Sequence, residues 1–136
     1  MGSNLRIHAI NGYRCGRWSL FLDAAYCLIL GSSVTLFCSD IAGPLALPVS
    51  FIAVTGIAVV VWAGSIIWML RRFPLSRVLR WVMIANVLAA IAVGCVSVIA
   101  ATLFLKATVL TVAIDIALFA ASQGIALRAL SGPRDD

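Results

Sequence analysis

An apolar block, Val49–Leu70, runs for 22 residues without one Asp, Glu, Lys or Arg. About 20 apolar residues in a helix are enough to cross the roughly 30 Å hydrocarbon core of a bilayer. Three further apolar blocks are about as long and contain one charged residue each: Trp18–Cys38, Leu79–Thr102 and Thr108–Leu127. None of them alternates polar and apolar residues as a barrel strand does. The blocks therefore predict four membrane-spanning helices.

Composition excludes most other classes of protein. Of the 136 residues, 63% are hydrophobic and 11% are charged, whereas a soluble domain carries about 25% charged residues. A soluble chain of this length has too little interior to bury so much apolar surface. We therefore expect an all-α membrane protein, a four-transmembrane-helix up-down bundle over residues 18–128. Residues 1–17 and 129–136 are expected to be polar tails.

The breaks between the blocks differ in strength. Pro44 and Pro48 separate the first two blocks, and Arg71-Arg72-Phe73-Pro74 separates the second from the third. Proline lacks an amide hydrogen and biases the preceding residue away from helix. The third break, near Leu103–Ala107, is marked mainly by Lys106. A re-entrant turn in place of two full spans remains an alternative there.

The basic residues predict the orientation, because cationic segments resist translocation. Nine of the ten lie in the first tail, in the segment from Arg71 to Arg80 at the entry of block three, or after block four, and only Lys106 lies on the other side. Both termini are therefore expected in the cytoplasm. These arginines either set the topology alone or also form a patch that attracts anionic lipid headgroups, and both interpretations explain the net charge of +5 without nucleic acid. The central members of the patch are Arg14, Arg17, Arg71, Arg72, Arg77 and Arg80.

Cysteine and histidine usage argues against several chemistries. Cys15, Cys27, Cys38 and Cys95 form no Cys-x-x-Cys pair, and the sole histidine, His8, lies in the first tail. A membrane thiol oxidoreductase needs a close cysteine pair, haem needs axial ligands within a span, and a metal site needs clustered ligands. We expect no catalytic residue, no metal and no cofactor, and hence no enzyme.

Two acids lie inside the blocks, where acids are costly and usually face the bundle interior. At about 1.5 Å per residue, Asp23 lies about 8 Å inside the cytoplasmic end of the first span, and Asp115 about 10 Å from the opposite surface in the fourth. This difference in depth argues against an aspartate dyad. It predicts two separate polar layers, one formed by Asp23, Ser65, Asn86 and Gln123, the other by Asp115, Ser32, Thr55 and Ser97.

The order of features resembles that of small bacterial four-helix integral membrane proteins of uncharacterised function. The features that carry the resemblance are Asp23, Trp68-Met69-Leu70-Arg71-Arg72, Ala85-Asn86 and Ser122-Gln123-Gly124. The resemblance implies the topology and brings no established activity. Nine arginines against one lysine are consistent with a bacterial source, and hence with the cytoplasmic (inner) membrane.

Two functions fit these features. Small residues at spacing four, such as Cys27, Gly31 and Thr35, let helix backbones approach closely. A bundle with such faces and without cofactor ligands favours a non-catalytic accessory or structural subunit, which packs against a membrane-protein partner or against itself. The alternative is a small proton-coupled transporter acting as a homo-oligomer, with Asp23 as its protonation site.

Overall fold

The computed structural model describes residues 2–100 and 102–130, with side chains from Asn11 onward. This part of the chain forms five helices: α1 (Gly2–Leu36), α2 (Cys38–Leu45), α3 (Val49–Arg72), α4 (Leu75–Ile99) and α5 (Leu103–Leu130). Four contain segments long and apolar enough to cross a membrane, namely Asn11–Leu36 of α1 and the whole of α3, α4 and α5. The four predicted helices are confirmed in that sense.

The helices begin and end where local chemistry requires it. Phe73 leaves α3 in an extended conformation, with φ −123° and ψ 155°, and Pro74 precedes the first residue of α4. At the third break, the Thr102 hydroxyl accepts from the backbone N–H of Leu105 at 3.2 Å, which satisfies one free donor at the start of α5. The break therefore precedes Leu103, several residues before the position that Lys106 had indicated.

The first tail and the first break are more ordered than the sequence suggested. Helix α1 already begins at Gly2, although the side chains of Arg6 and His8 lie outside the described residues. The segment around Pro44 forms α2, which ends at Leu45 and is followed by Ala46 with φ 53°. The N–H groups of Ala46 and Leu47 bond to Gly43 O and Ala42 O at 3.0 and 3.1 Å, as in a Schellman motif. Residues 131–136 of the second predicted tail lie outside the described residues.

Two apolar clusters lie at opposite ends of the helices. The first joins all four long helices through Leu20, Ala24, Ile66, Val78, Leu79, Val82 and Ala126. The second joins α2, α3 and the end of α4 through Ala42, Leu45, Ile52 and Ala100. Helix α1 packs most extensively along α3, α4 packs most extensively along α5, and α1 also packs along α5.

The crossing of α1 and α3 is unusually close. Gly31 and Gly56 face each other, and a β-carbon at Gly31 would lie 2.7 Å from Gly56 O. A β-carbon at Gly56 would lie 2.8 Å from Gly31 O and would overlap the Thr35 hydroxyl. Only glycine permits this approach, so the small-residue row of the first block serves the contact with α3.

Apolar side chains also cover the outside of the molecule. Ile29, Val61, Leu88 and Leu118, one from each long helix, are all more than half exposed. Such a surface is unusual for a soluble protein and matches the hydrocarbon of a bilayer. Trp18, Trp68 and Trp81 are also largely exposed, whereas Trp62 packs against the first apolar cluster.

Candidate functional site: a buried polar centre around Asp23

A cluster of polar side chains lies inside the bundle, between α1, α4 and α5. Asp23, Asn86 and Gln123 come one from each of these helices and are 2%, 4% and 0% exposed. All three side chains face the core because of where they lie in long apolar helices. In each helix, the turns next to the polar residue also face the core. Asp23, Asn86 and Gln123 form three of the four members of the predicted cytoplasmic-side layer.

The two amides donate to the same carboxylate oxygen. The Nδ2 of Asn86 lies 2.6 Å from Asp23 Oδ2, and the Nε2 of Gln123 lies 2.7 Å from it. A weaker bond, from Asn86 Nδ2 to Gln123 Oε1 at 3.4 Å, closes the triangle. Amide groups both donate and accept, whereas a carboxylate only accepts. The arrangement therefore uses the carboxyl group of Asp23 to join α1 to α4 and to α5.

Cys27 is a fourth member that sequence reasoning assigned to packing alone. Its thiol lies one turn after Asp23 on the same helix, and Sγ is 3.6 Å from Asp23 Oδ1. Residues at i and i+4 are neighbours on a helix surface, so the spacing of four residues could have indicated the contact of Cys27 with Asp23. The second oxygen of Asp23 therefore also has a donor. Across the described part of the chain, no buried side-chain nitrogen or oxygen lacks a partner.

Ser65 does not join this centre. Its hydroxyl is 2.9 Å from Val61 O, a carbonyl of its own helix. Serine within a helix commonly satisfies itself in this way. Depth alone had placed Ser65 with Asp23, but the rotation of α3 about its axis decides which side chains meet. Arg17, six residues before Asp23 in the sequence, is exposed.

Asp115 lies apart from Asp23. Its hydrogen-bond partner is not one of the residues that were predicted to form the second layer with it. The hydroxyl of Tyr26 donates to Asp115 Oδ2 at 3.0 Å. Thr55 and Ser97 instead bond to carbonyls of their own helices, Phe51 O at 2.8 Å and Gly94 O at 2.6 Å. No hydrogen bond in the described residues joins Ser32 to Asp115. The second predicted layer therefore does not assemble as a network.

The start of α5 explains this difference. Because α5 begins at Leu103, Asp115 lies about 18 Å along it at 1.5 Å per residue. The acid therefore lies farther along its helix than the sequence suggested, and it is level with Tyr26 of α1. The sequence did not single out Tyr26, because a tyrosine within a membrane span is usually interpreted as a packing residue.

The basic residues form an exposed group at one end of the molecule. Arg14, Arg17, Arg71, Arg72, Arg77 and Arg80 are all exposed. Arg77 and Arg80 line a concavity of about 390 Å³ at the start of α4, beside Ser76 and Trp81. Arginine side chains present a planar fork of hydrogen-bond donors that can pair with anionic oxygens.

Among the residues that the structure describes, no three His, Cys, Asp or Glu side chains lie together as a metal site requires. Comparison of the chain with protein-family models, with curated proteins and with solved structures finds no match. The function of this chain therefore has to be inferred from its own geometry.

Proposed function

We propose that this protein is a non-catalytic accessory or structural subunit of a membrane complex. Its four long helices would form an up-down bundle in a bacterial cytoplasmic membrane, with both termini in the cytoplasm. It would pack against a membrane-protein partner, or a second copy, within the bilayer. The single observation that carries this proposal is the closed polar centre around Asp23.

The centre supports a structural role because its polar groups form hydrogen bonds with each other. Asp23 is 2% exposed, and its oxygens accept from Asn86, Gln123 and Cys27. A transport site must meet water from both sides in turn, and a catalytic acid must meet its substrate. A carboxyl group that is sealed and fully bonded instead specifies which helix faces meet, as polar residues between membrane helices do.

The contacts between helix ends support the up-down arrangement. A β-carbon at Gly12, near the start of α1, would lie 3.0 Å from Cβ of Ala129, near the end of α5. At Gly16, a β-carbon would lie 3.0 Å from Cδ1 of Leu79, in the first half of α4. The same end carries the exposed arginines, which the positive-inside rule assigns to the cytoplasm. Anionic lipids are the expected neighbours of that surface.

The alternative is a small proton-coupled transporter, a homo-oligomer in which Asp23 carries the proton. This function requires the centre to open, because the contacts of Asp23 leave no room for a ligand beside it. It would also make Asp23→Asn inactive while leaving the helices assembled. The two functions therefore predict opposite outcomes for one conservative substitution.

The test is purification of the intact chain and of Asp23→Asn in mild detergent, followed by reconstitution into proteoliposomes. We expect a discrete membrane-protein partner to cross-link to both forms in the host membrane. Under an imposed pH gradient with a potassium ionophore, both forms should show the proton permeability of protein-free liposomes. Proton flux that is present in the wild type and abolished in Asp23→Asn would overturn the proposal.

A further inference from the structure

A groove of about 550 Å³ opens sideways between α1 and α5, on the surface that the proposed orientation turns to lipid. Its walls are largely apolar and include Leu22, Leu118 and Phe119. Trp18 lies at one end and is 62% exposed. The volume is within the roughly 300–1,000 Å³ of small-molecule sites, which are mostly apolar with a few convergent polar groups.

The groove contains a carboxylate, Asp115, which is only half-buried there. Within the described residues, the one hydrogen bond to Asp115 comes from Tyr26, at 3.0 Å to Oδ2. This differs from the Asp23 centre, in which both carboxylate oxygens have donors. An acid within a span that faces lipid is costly unless a partner approaches it. The groove therefore offers an oxygen, Oδ1, for which the described residues give no donor.

Aromatic rings lie beside this carboxylate. The rings of Tyr26 and Phe119 have centroids 5.5 Å apart, and both line the groove. The faces of such rings attract organic cations, more strongly where water is excluded. The other polar pair in the groove is already satisfied, because the hydroxyls of Ser19 and Ser122 lie 2.6 Å apart. The polar group of the groove that is left without a second donor is therefore the negatively charged carboxylate of Asp115.

We propose that this groove binds a lipophilic organic cation that reaches it from the bilayer. The positive centre lies against the Asp115 carboxylate, which Tyr26 holds in place. The apolar substituents lie against Leu22, Leu118 and Phe119. The site is separate from the Asp23 centre, so the inference goes beyond the proposed function and shares with it only the placement of the long helices in a bilayer.

Two probes of matched shape test this inference directly. Tetraphenylphosphonium and tetraphenylborate have four phenyl groups around one atom and opposite charges. Equilibrium dialysis of each against the purified full-length chain in detergent, corrected for empty micelles, measures specific binding. We expect saturable binding of the cation, near one per chain, and at least tenfold weaker specific binding of the anion. Equal binding of both probes would overturn the proposal, because it would show apolar partitioning alone.

Variants then locate the site. Asp115→Asn should weaken cation binding at least tenfold, whereas Asp40→Asn, which removes an exposed acid of α2 outside the groove, should leave it unchanged. Asp115→Glu keeps the charge and should retain binding within a few fold. Helical content by circular dichroism checks that each variant is folded. Undiminished binding by folded Asp115→Asn would contradict the assignment, and the comparison of the two probes remains decisive on the wild type if that variant does not fold.

Discussion

At the scale of single residues, Asp23 differs from Asp115 in how many hydrogen bonds its carboxylate oxygens accept. The two amides of Asn86 and Gln123 converge on one oxygen, and Cys27 reaches the other. Hydrogen bonds between membrane helices contribute only about 0.6 kcal/mol on average, with a maximum near 1.7. Their stronger effect is on specificity, because a rotated helix would leave a carboxyl group without donors in an apolar interior.

Asp23→Asn is expected to fold, because its side-chain oxygen can still accept from both amides. Its free energy of unfolding should stay within about 1 kcal/mol of the wild type, whereas Asp23→Ala leaves both amides without their acceptor and should lose about 1–3 kcal/mol. Unfolding in mixed micelles of increasing dodecyl sulfate content, followed by circular dichroism, measures this difference. Asp40→Asn, in an exposed position, is the control. A loss in Asp23→Asn as large as in Asp23→Ala would show that charge, not hydrogen bonding, is what the centre needs.

At the scale of elements, the close crossing of α1 and α3 depends on two glycines. Gly56 faces the backbone of Gly31 and the side chain of Thr35, whereas Gly64, two turns later on the same helix, has open space where a β-carbon would be. The sequence placed Gly31 in a row of small residues but did not say which helix it meets. That information depends on the rotation of each helix about its axis.

Gly56→Ala and Gly64→Ala form a matched pair of substitutions on α3. Gly56→Ala should lower the free energy of unfolding by about 1–3 kcal/mol, as overpacking does. Gly64→Ala should raise it by up to about 1 kcal/mol, since alanine is the better helix former. The same dodecyl sulfate titration measures both. Equal effects of the two substitutions would contradict the close crossing.

The existence of the helices was predictable from the sequence, whereas several contacts between them were not. Long apolar blocks and the Phe73-Pro74 break indicated four helices, because a segment inside a bilayer has to satisfy its backbone polar groups internally. Depth arithmetic brought Asp23, Asn86 and Gln123 together. It failed for Ser65, whose hydroxyl turns to its own helix, and for Asp115, because the cap at Thr102 begins α5 earlier than Lys106 indicated.

At the scale of the whole molecule, the uneven distribution of charge is the feature that relates the fold to a membrane. The exposed arginines lie around the first apolar cluster, near the start of α4 and the end of α3, and Lys106 is at the opposite end of the chain's long helices. This polarity underlies the proposed orientation. The native cysteines provide a way to test it.

Chains that retain only Cys15 or only Cys38, with the other cysteines replaced by alanine, should label from opposite sides of the membrane. Cys15 is exposed near the arginine-rich end, and Cys38 begins α2 at the other end. A membrane-impermeant maleimide should therefore react with Cys15 in inverted vesicles and with Cys38 in right-side-out vesicles. A third chain that retains only Cys27, which is buried, should react in neither. Labelling of Cys15 and Cys38 from the same side would refute the orientation.

The central claim is that the polar centre couples α1 to α5 through Asp23 and Gln123. A double-mutant cycle with Asp23→Ala, Gln123→Ala and the double variant measures that coupling as a difference of unfolding free energies. We predict a coupling of about 0.6–1.7 kcal/mol. The control cycle pairs Asp23→Ala with Ser65→Ala, and should be additive because Ser65 bonds within its own helix. Additivity in the first cycle, or equal coupling in both, would contradict this account.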